Sequence, residues 1–262
     1  TIPNADRDNV RALAVPPDGR YLISAGDDAV IKVWNTANGK PVAQLKGHKE
    51  SIFSLAISPN GKHLVSGDLY GSIRQWSIGG WKLDRKLDGK ILHTRLDNFI
   101  ADVGGVRSLA FSPDGKLLAA GGMKEAKSNA FCPGKPTVLI FDWASGKQIT
   151  ELRIKGKSDG PFNALHFLED GTLAGHTEIL HSASELIFWK TDAPDPLHSI
   201  ANGSAYDLSL HPDGRQLLVP TYVSGGSTGN GARKQHREKY LPNSTTLKIF
   251  SLFEKPEEKK AG

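Results

Sequence analysis

A short pattern returns five times along this chain. An alternating apolar–polar run leads into a Pro-, Asp- or Asn-containing turn that ends in Gly, and a second apolar run follows it; the copies occupy 10–26, 52–68, 106–122, 162–176 and 205–220. Alternation with period two indicates a β-strand, and a turn of this composition tolerates the positive φ angles that a tight hairpin needs. Each copy therefore predicts a β-hairpin.

Further strand-like runs follow each hairpin. A third run carries an aromatic residue at one register, and in the first four copies a fourth run comes after it. Five copies of a four-stranded meander, with no amphipathic helix of convincing length, predict an all-β fold. The sheets would be the four-stranded antiparallel blades of a β-propeller. The recurrent aromatic residues are Trp34, Trp76, Phe141, Trp189 and Phe250.

Two stretches carry a family resemblance. VRALAVPPDGRYLISAGDDAVIKVWN (10–35) and LKGHKESIFSLAISPNGKHLVSGDLYGSIRQWS (45–77) resemble WD (WD40) repeats, of a bacterial type. The resemblance extends over residues 10–253 and is weaker in the last two copies. We place the repeats near 10–47, 52–87, 106–154, 162–201 and 205–252.

The resemblance implies a buried hydrogen-bonded set of His, Ser or Thr, Asp and Trp within a blade. Copy two matches at His48, Ser66 and Trp76, but Tyr70 stands where the Asp is expected. Copy one matches at its Ser, Asp and Trp, with an Asp where the His is expected; these residues are Ser24, Asp28, Trp34 and Asp6. We therefore expect no complete set, and a fold that rests on apolar packing between blades.

The resemblance also bears on the number of blades. Propellers have about 4–8 blades, and members of this family usually have seven. The chain begins at Thr1 and its only methionine is Met123, so the natural start is missing. We expect residues 1–253 to be part of a larger, seven-bladed propeller, with closure of five blades by residues 1–6 as the alternative. The charged, polar segment 254–262 is expected to be a disordered tail.

The longer connections of the implied propeller fall on one face. In that topology the connections between strands two and three, and from strand four to the next blade, open on the same side. The segments 88–104, 122–137, 177–184 and 222–245 all have these positions, whereas the turns of the opposite face are short. Insertions that cluster on one face of a repeat protein often mark its binding face.

Basic charge is concentrated on this face. Segment 122–137 has three Lys against one Glu, and segment 222–245 has four Lys and Arg against one Glu, which together equal the net charge of +5 of the whole chain. We expect the face to bind an acidic protein or peptide, with the cations steering its encounter. The candidate partner-binding residues are Lys124, Lys127, Phe131, Lys135, Arg233, Lys234, His236, Arg237 and Lys239.

Sharper chemical interpretations have little support in the sequence. The Gly-rich run 224–231 has the wrong spacing for a phosphate-binding loop and leads into a strand instead of a helix. His176, Glu178 and His181 do not converge as metal ligands, because on a strand the third side chain points away from the first two. No cofactor and no metal are expected, and no catalytic motif such as GxSxG or HExxH is present.

Partners of other classes are also disfavoured. Few aromatic residues accompany the basic segments, and Asp88, Asp97 and Asp102 lie on the same face, which argues against nucleic acid. There is no apolar run of membrane-spanning length, and the single cysteine Cys132 leaves both the cytoplasm and a bacterial periplasm open. The sequence thus predicts a non-catalytic protein-interaction scaffold; the alternative is a propeller that binds or hydrolyses a small ligand at its central axis.

Overall fold

The structure is a computed structural model, and it describes residues 8–129, 133–154, 159–177, 184–202, 205, 207–223 and 244–252. Within these ranges the chain is built from β-strands and two single-turn 3₁₀ helices, Lys90–Leu92 and Asp97–Phe99. The strands are β1 (Val10–Ala14), β2 (Tyr21–Gly26), β3 (Ile31–Asn35), β4 (Pro41–Leu45), β5 (Ile52–Ile57), β6 (His63–Asp68), β7 (Ser72–Ser77), β8 (Leu83–Asp88), β9 (His93–Leu96), β10 (Ala101–Gly104), β11 (Ser108–Phe111), β12 (Leu117–Lys124), β13 (Lys135–Asp142), β14 (Gln148–Leu152), β15 (Phe162–Phe167), β16 (Leu173–Thr177), β17 (Ser184–Trp189), β18 (His198–Asn202), β19 (Ser209–Leu210), β20 (Gln216–Val223) and β21 (Ser244–Ser251).

The strands pair as antiparallel meanders, which are the blades of a β-propeller. Blades one to four are the four-stranded sheets β1–β4, β5–β8, β11–β14 and β15–β18. Blade five has three strands in the described part of the chain, β19–β21. The all-β fold with four-stranded blades, predicted from the repeat, is therefore confirmed.

Apolar clusters fill the spaces between successive blades. Ile23 and Ile31 of blade one pack with Ile52 and Leu64 of blade two, and similar clusters join blades two and three, three and four, and four and five. The first strands β1, β5, β11 and β15 lie against one another from blade to blade, which makes them the innermost strands. Burial of this kind contributes about 25 cal/mol per Å² of apolar surface, so these clusters stabilise the packing of neighbouring blades.

Four of the five recurrent aromatic residues of the third strands pack into the apolar clusters. Trp76, Phe141 and Trp189 are buried, and Phe250 packs from the edge onto the cluster between blades four and five. Blade four has Gly175 at the position of the Ser, and the indole Nε1 of Trp189 donates instead to the carbonyl oxygen of Arg153, at 2.9 Å.

Blade two holds a complete hydrogen-bonded tetrad, which corrects the expectation that no blade has one. His48 Nδ1 lies 2.6 Å from Asp68 Oδ2, and His48 Nε2 lies 2.6 Å from Ser66 Oγ. Trp76 Nε1 donates to the same Ser66 Oγ at 2.8 Å. The fourth member is Asp68, not a residue at position 70; side chains at 66 and 68 share one face of β6, since successive residues of a strand alternate.

The tetrad leaves its buried polar groups satisfied. Asp68 accepts from His48 with Oδ2 and from the Ser72 backbone N–H with Oδ1. Burial, the largest influence, lowers the pKa of His48 although Asp68 acts to raise it. A neutral imidazole fits this arrangement, because Nδ1–H donates to the carboxylate while Nε2 accepts from the serine hydroxyl.

Blade one has only part of this network. Trp34 Nε1 donates to Ser24 Oγ at 3.0 Å, as in blade two. Asp28 forms an ion pair with Lys32 at 2.6 Å and accepts the backbone N–H of Val30. Asp6 lies outside the described residues, as do 178–183, 224–243 and the expected tail 254–262. The number of blades in the whole protein remains a prediction.

Two of the segments interpreted as long loops contain regular structure. Residues 88–104 form a two-stranded hairpin, β9–β10, that lies between blades two and three. Residues 122–124 and 135–137 extend β12 and β13, so the connection between those strands is limited to 125–134. Segment 88–104 is therefore an ordered hairpin, and the connection within 122–137 is shorter than expected because strand pairing continues beyond the apolar core of the blade.

Candidate partner-binding face

The long-connection face is described most fully around the hairpin β9–β10 and the adjoining segment 125–129. Lys124, Lys127 and Lys135 lie here. Phe131 and the whole basic run at Arg233, Lys234, His236, Arg237 and Lys239 lie outside the described residues. On this face, the predicted binding residues that the structure describes are therefore those next to the hairpin.

Two of the predicted binding lysines are paired within the chain. Lys124 Nζ donates to Glu151 of β14, and Lys135 Nζ lies 2.5 Å from Glu125 Oε2. Lys127 is exposed, and its backbone N–H donates to the Pro133 carbonyl oxygen at 2.8 Å. The positive charge that this segment offers a partner is thus centred on Lys127.

A concavity lies between Lys127 and the tip of the hairpin. It has a volume of about 300 Å³. Two exposed apolar side chains stand at the tip, Phe99 at 50% and Ile100 at 81% of their full exposure. Ile100 has a φ of 49°, a left-handed conformation that is rare for a β-branched residue. The lining residues are Arg95, Leu96, Asp97, Asn98, Phe99 and Lys127.

The hairpin is braced internally by polar contacts and is joined to blade three by a small core. His93 Nε2 lies 2.8 Å from Asp102 Oδ1, and Arg95 Nη1 donates to Asp102 Oδ2 at 2.7 Å. Burial, the largest influence, raises the pKa of Asp102, and the hydrogen bonds from His93 and Arg95 more than offset it, so the pKa lies below its usual value. Val103 packs with Met123 and Ala126 of blade three. The concavity is therefore built on an ordered support.

Tyr70 also belongs to this support. Its ring meets the His93 imidazole edge-on, with centroids 5.1 Å apart, and its hydroxyl donates to Glu50 Oε1 at 3.3 Å. The residue that interrupts the sequence pattern of the tetrad thus contacts the inserted hairpin.

A cation–aromatic row crosses the innermost strands near the same face. The Arg107 guanidinium lies 3.8 Å from the centroid of the Phe53 ring, and that of Arg11 lies 5.9 Å from it. Arg107 Nε donates to the Gly104 carbonyl oxygen at 2.7 Å, which connects the row to the end of the hairpin. The row therefore joins blades one, two and three and contacts the base of the hairpin.

Arg11 is oriented by an acidic neighbour. Its Nε and Nη2 donate to the two oxygens of Asp27, both at 2.9 Å. This pairing is the largest cause that lowers the pKa of Asp27, to about 2. The fork geometry fixes the guanidinium plane of Arg11 beside Phe53.

Sequence reasoning missed this row, although a signal for it exists. Arg11 and Phe53 occupy matching places in their blades, where the pairing of the first two strands shifts register between Val10 and Ala12 and between Ile52 and Ser54. Such β-bulges re-aim a side chain and recur near functional sites. Arg107 has the same place in the copy VRSLA.

The described residues give no metal centre and no membrane-spanning helix. Across them, no group of three or more His, Cys, Asp or Glu side chains is placed to hold a metal ion. His176 is fully buried on β16, while Glu178 and His181 lie outside the described ranges. No helix in that part of the chain is long and apolar enough to cross a membrane.

Comparison with known families identifies the repeat. The family model described as WD domain, G-beta repeat matches residues 2–35, 39–77 and 93–124. The second match covers the His48, Ser66 and Trp76 tetrad positions. These three segments of the chain are WD40 repeats. The third match begins at the hairpin β9–β10 and runs through blade three as far as the end of β12.

Relatives of the WD40-repeat chain include larger proteins. Protein SLOW WALKER 1 of Arabidopsis thaliana is 26% identical over 241 residues, which are 90% of this chain and 40% of that protein. Periodic tryptophan protein 2 homolog of Mus musculus is 49% identical over 37 residues, 14% of this chain and 4% of that protein. The WD40-repeat chain thus spans less than half the length of these relatives.

A solved structure shares the fold. Kuenenia stuttgartiensis Hydrazine Synthase superposes with a TM-score of 0.70 over 97% of this chain and 66% of its own, at 14% sequence identity. At this identity the likeness concerns the fold alone. WD40 repeats as a class support a protein-interaction scaffold, and proteins built from them are typically non-catalytic.

Proposed function

We propose that this chain is a non-catalytic interaction scaffold that binds an acidic protein or peptide through the face that carries the hairpin β9–β10. The observation that carries the proposal is the concavity between Lys127 and the hairpin tip, with Phe99 and Ile100 exposed at its edge. Exposed apolar side chains beside cations suit a partner segment that has both an apolar anchor and carboxylates.

The cation–aromatic row supports an extended contact. Arg107 donates a hydrogen bond to Gly104 at the base of the hairpin, and both Arg107 and Arg11 lie over the ring of Phe53. A peptide that places its apolar side chain at Ile100 would lay its acidic residues from Lys127 toward the row. The basic segment 233–239, predicted from the sequence, would add charge on the same face.

The alternative is a propeller that binds or hydrolyses a small ligand at its axis. The row Arg11, Phe53 and Arg107 favours binding of an anionic aromatic or carboxylate ligand over hydrolysis, since it offers cations and a ring but no general base. Substitution of Arg107 should weaken the binding of a small ligand, whereas substitution at the hairpin tip should not change it. Both substitutions should weaken the binding of a protein partner.

Substitutions at the hairpin test the proposal. We expect Lys127→Glu to weaken binding of an acidic peptide carrying a Leu or Phe by about tenfold, since one attraction becomes a repulsion. Ile100→Asn removes the apolar anchor while its left-handed backbone suits Asn well, so binding should weaken without loss of stability. The measurement is fluorescence anisotropy with labelled peptides of equal length, acidic and charge-scrambled, together with thermal unfolding of each variant.

A matched control uses a lysine on the opposite face. Lys147 is exposed in the short turn between strands three and four of blade three, so Lys147→Glu makes the same charge change elsewhere. Equal weakening by Lys127→Glu and Lys147→Glu would show only a general charge effect and would contradict the assignment of the face. Weakening by an Arg107→Gln variant alone would favour the small-ligand alternative.

A further inference from the structure

Within the described part of the chain, three buried side chains of blade four have polar atoms without a hydrogen-bond partner. They are His176 on β16, at both ring nitrogens, Ser184 on β17, at its hydroxyl, and Asn202 on β18, at Nδ2. His176 and Ser184 are fully buried, and Asn202 nearly so. Leaving such a group unsatisfied destabilises the folded chain, so three together require an explanation.

The three side chains share one face of the sheet. Ala174 and Leu186 belong to the apolar cluster between blades four and five, and His176 and Ser184 each lie two residues from one of them on the same strand. Alternate residues of a strand point to the same side. Asn202 pairs directly with Ser184 across β17 and β18, which puts it on that side too. All three therefore face blade five.

A cation from blade five meets them there. Lys248 Nζ, on β21, donates to Asn202 Oδ1 at 2.5 Å, and its charge also acts on His176. Lys248 is exposed, so an ion from solvent can approach the three buried side chains past this lysine. The cluster offers an ammonium, an amide NH₂, a hydroxyl and an imidazole N–H, which is a set rich in donors.

We propose that the polar side chains of His176, Ser184, Asn202 and Lys248 together bind a small oxyanion, a carboxylate or a phosphate. An oxyanion accepts several hydrogen bonds at once and would be paired with the Lys248 charge. A metal cation does not fit, because an ammonium group occupies the open side. The site lies between blades four and five, apart from the hairpin concavity between blades two and three, and is independent of the protein-binding proposal.

Thermal unfolding in matched salts tests this site. In a chloride buffer, millimolar inorganic phosphate or acetate should raise the Tm of the wild-type chain more than sodium chloride at equal ionic strength does. Lys248→Met should weaken the apparent affinity for the effective anion at least tenfold, and Ser184→Ala, a smaller change, should weaken it several-fold. Phosphate also stabilises proteins non-specifically, and for that reason the comparison with the variants decides the outcome.

The control is Lys147→Met, which removes an exposed lysine of blade three and should respond to the anions as the wild type does. A rise in Tm with phosphate alone assigns the site to phosphates, a rise with acetate alone assigns it to carboxylates, and a rise with both assigns it to either oxyanion. The proposal is wrong if neither phosphate nor acetate raises the Tm of the wild type more than sodium chloride does. It is also wrong if Lys248→Met shows the same rise in Tm as the wild type. Nitrogen-15 NMR of the His176 ring gives a second readout, since its signals should shift on anion addition only when the site fills.

Discussion

Lowering the pH from 7.5 to 5 should destabilise the wild-type chain by about 2 kcal/mol more than a His176→Leu variant. Burial, and next the charge of Lys248, lower the pKa of His176 from 6.5 to about 4. A lowered histidine pKa means that the unfolded chain takes up the proton first. The stability is therefore fully present above pH 6.5 and is lost as the pH falls from 6.5 toward 4.

Urea unfolding at both pH values, in chloride buffer, measures this difference. His48 and His166 also have pKa values lowered by burial. Both residues are present in the wild type and in His176→Leu, so their effect on stability cancels in the difference between the two proteins. The control is His198→Leu, at an exposed position of β18. An equal loss of free energy of unfolding between pH 7.5 and pH 5 in His176→Leu, in the wild type and in the His198→Leu control would contradict this expectation. That result would show that the buried, neutral His176 does not cause the loss of stability in acid.

Removal of Asp68 should cost about 3 kcal/mol of the free energy of unfolding. In Asp68→Ala, the buried His48 Nδ1 and the backbone N–H of Ser72 both lose their acceptor. The network then fails further, since His48 orients Ser66, which in turn accepts from Trp76. Urea unfolding of the full chain at pH 7.5 gives the value.

The comparison variant is Asp18→Ala, at an exposed turn aspartate that bonds its own neighbour Arg20. We expect that change to stay within about 0.5 kcal/mol, as surface substitutions usually do. A loss of stability in Asp68→Ala no greater than in Asp18→Ala would mean that the tetrad adds little and that apolar packing alone holds blade two.

The blades were predictable because local rules and tertiary packing agree in them. Alternating runs joined by turns such as SPNG and SPDG place glycines Gly61 and Gly115 at positive φ, as a tight hairpin requires. The hairpin β9–β10 was missed because its turn breaks the same rules. Ile100, instead of Gly or Asn, takes the left-handed conformation there.

Side-chain partners were harder to predict than strands. Counting charge in segment 122–137 gave a net positive value, yet Lys124 pairs with Glu151, which follows 27 residues later on β14. The tetrad was misjudged because the family pattern places its Asp at position 70. The period-two geometry of β6 would have shown that Asp68 lies on the face of Ser66. The row at Phe53 depends on contacts among three blades, which no local pattern encodes.

The hairpin β9–β10 has a small core of its own with Met123 and Ala126, and it joins blade three through Gly104 and Gly105, both at positive φ. The apolar clusters between blades do not depend on its tip. Consequently the residues from Asp97 to Ile100 can be exchanged in length and sequence at little cost to the rest of the molecule. A propeller of this kind can acquire a new binding specificity when the tip of one inserted hairpin changes, while its blades stay unchanged.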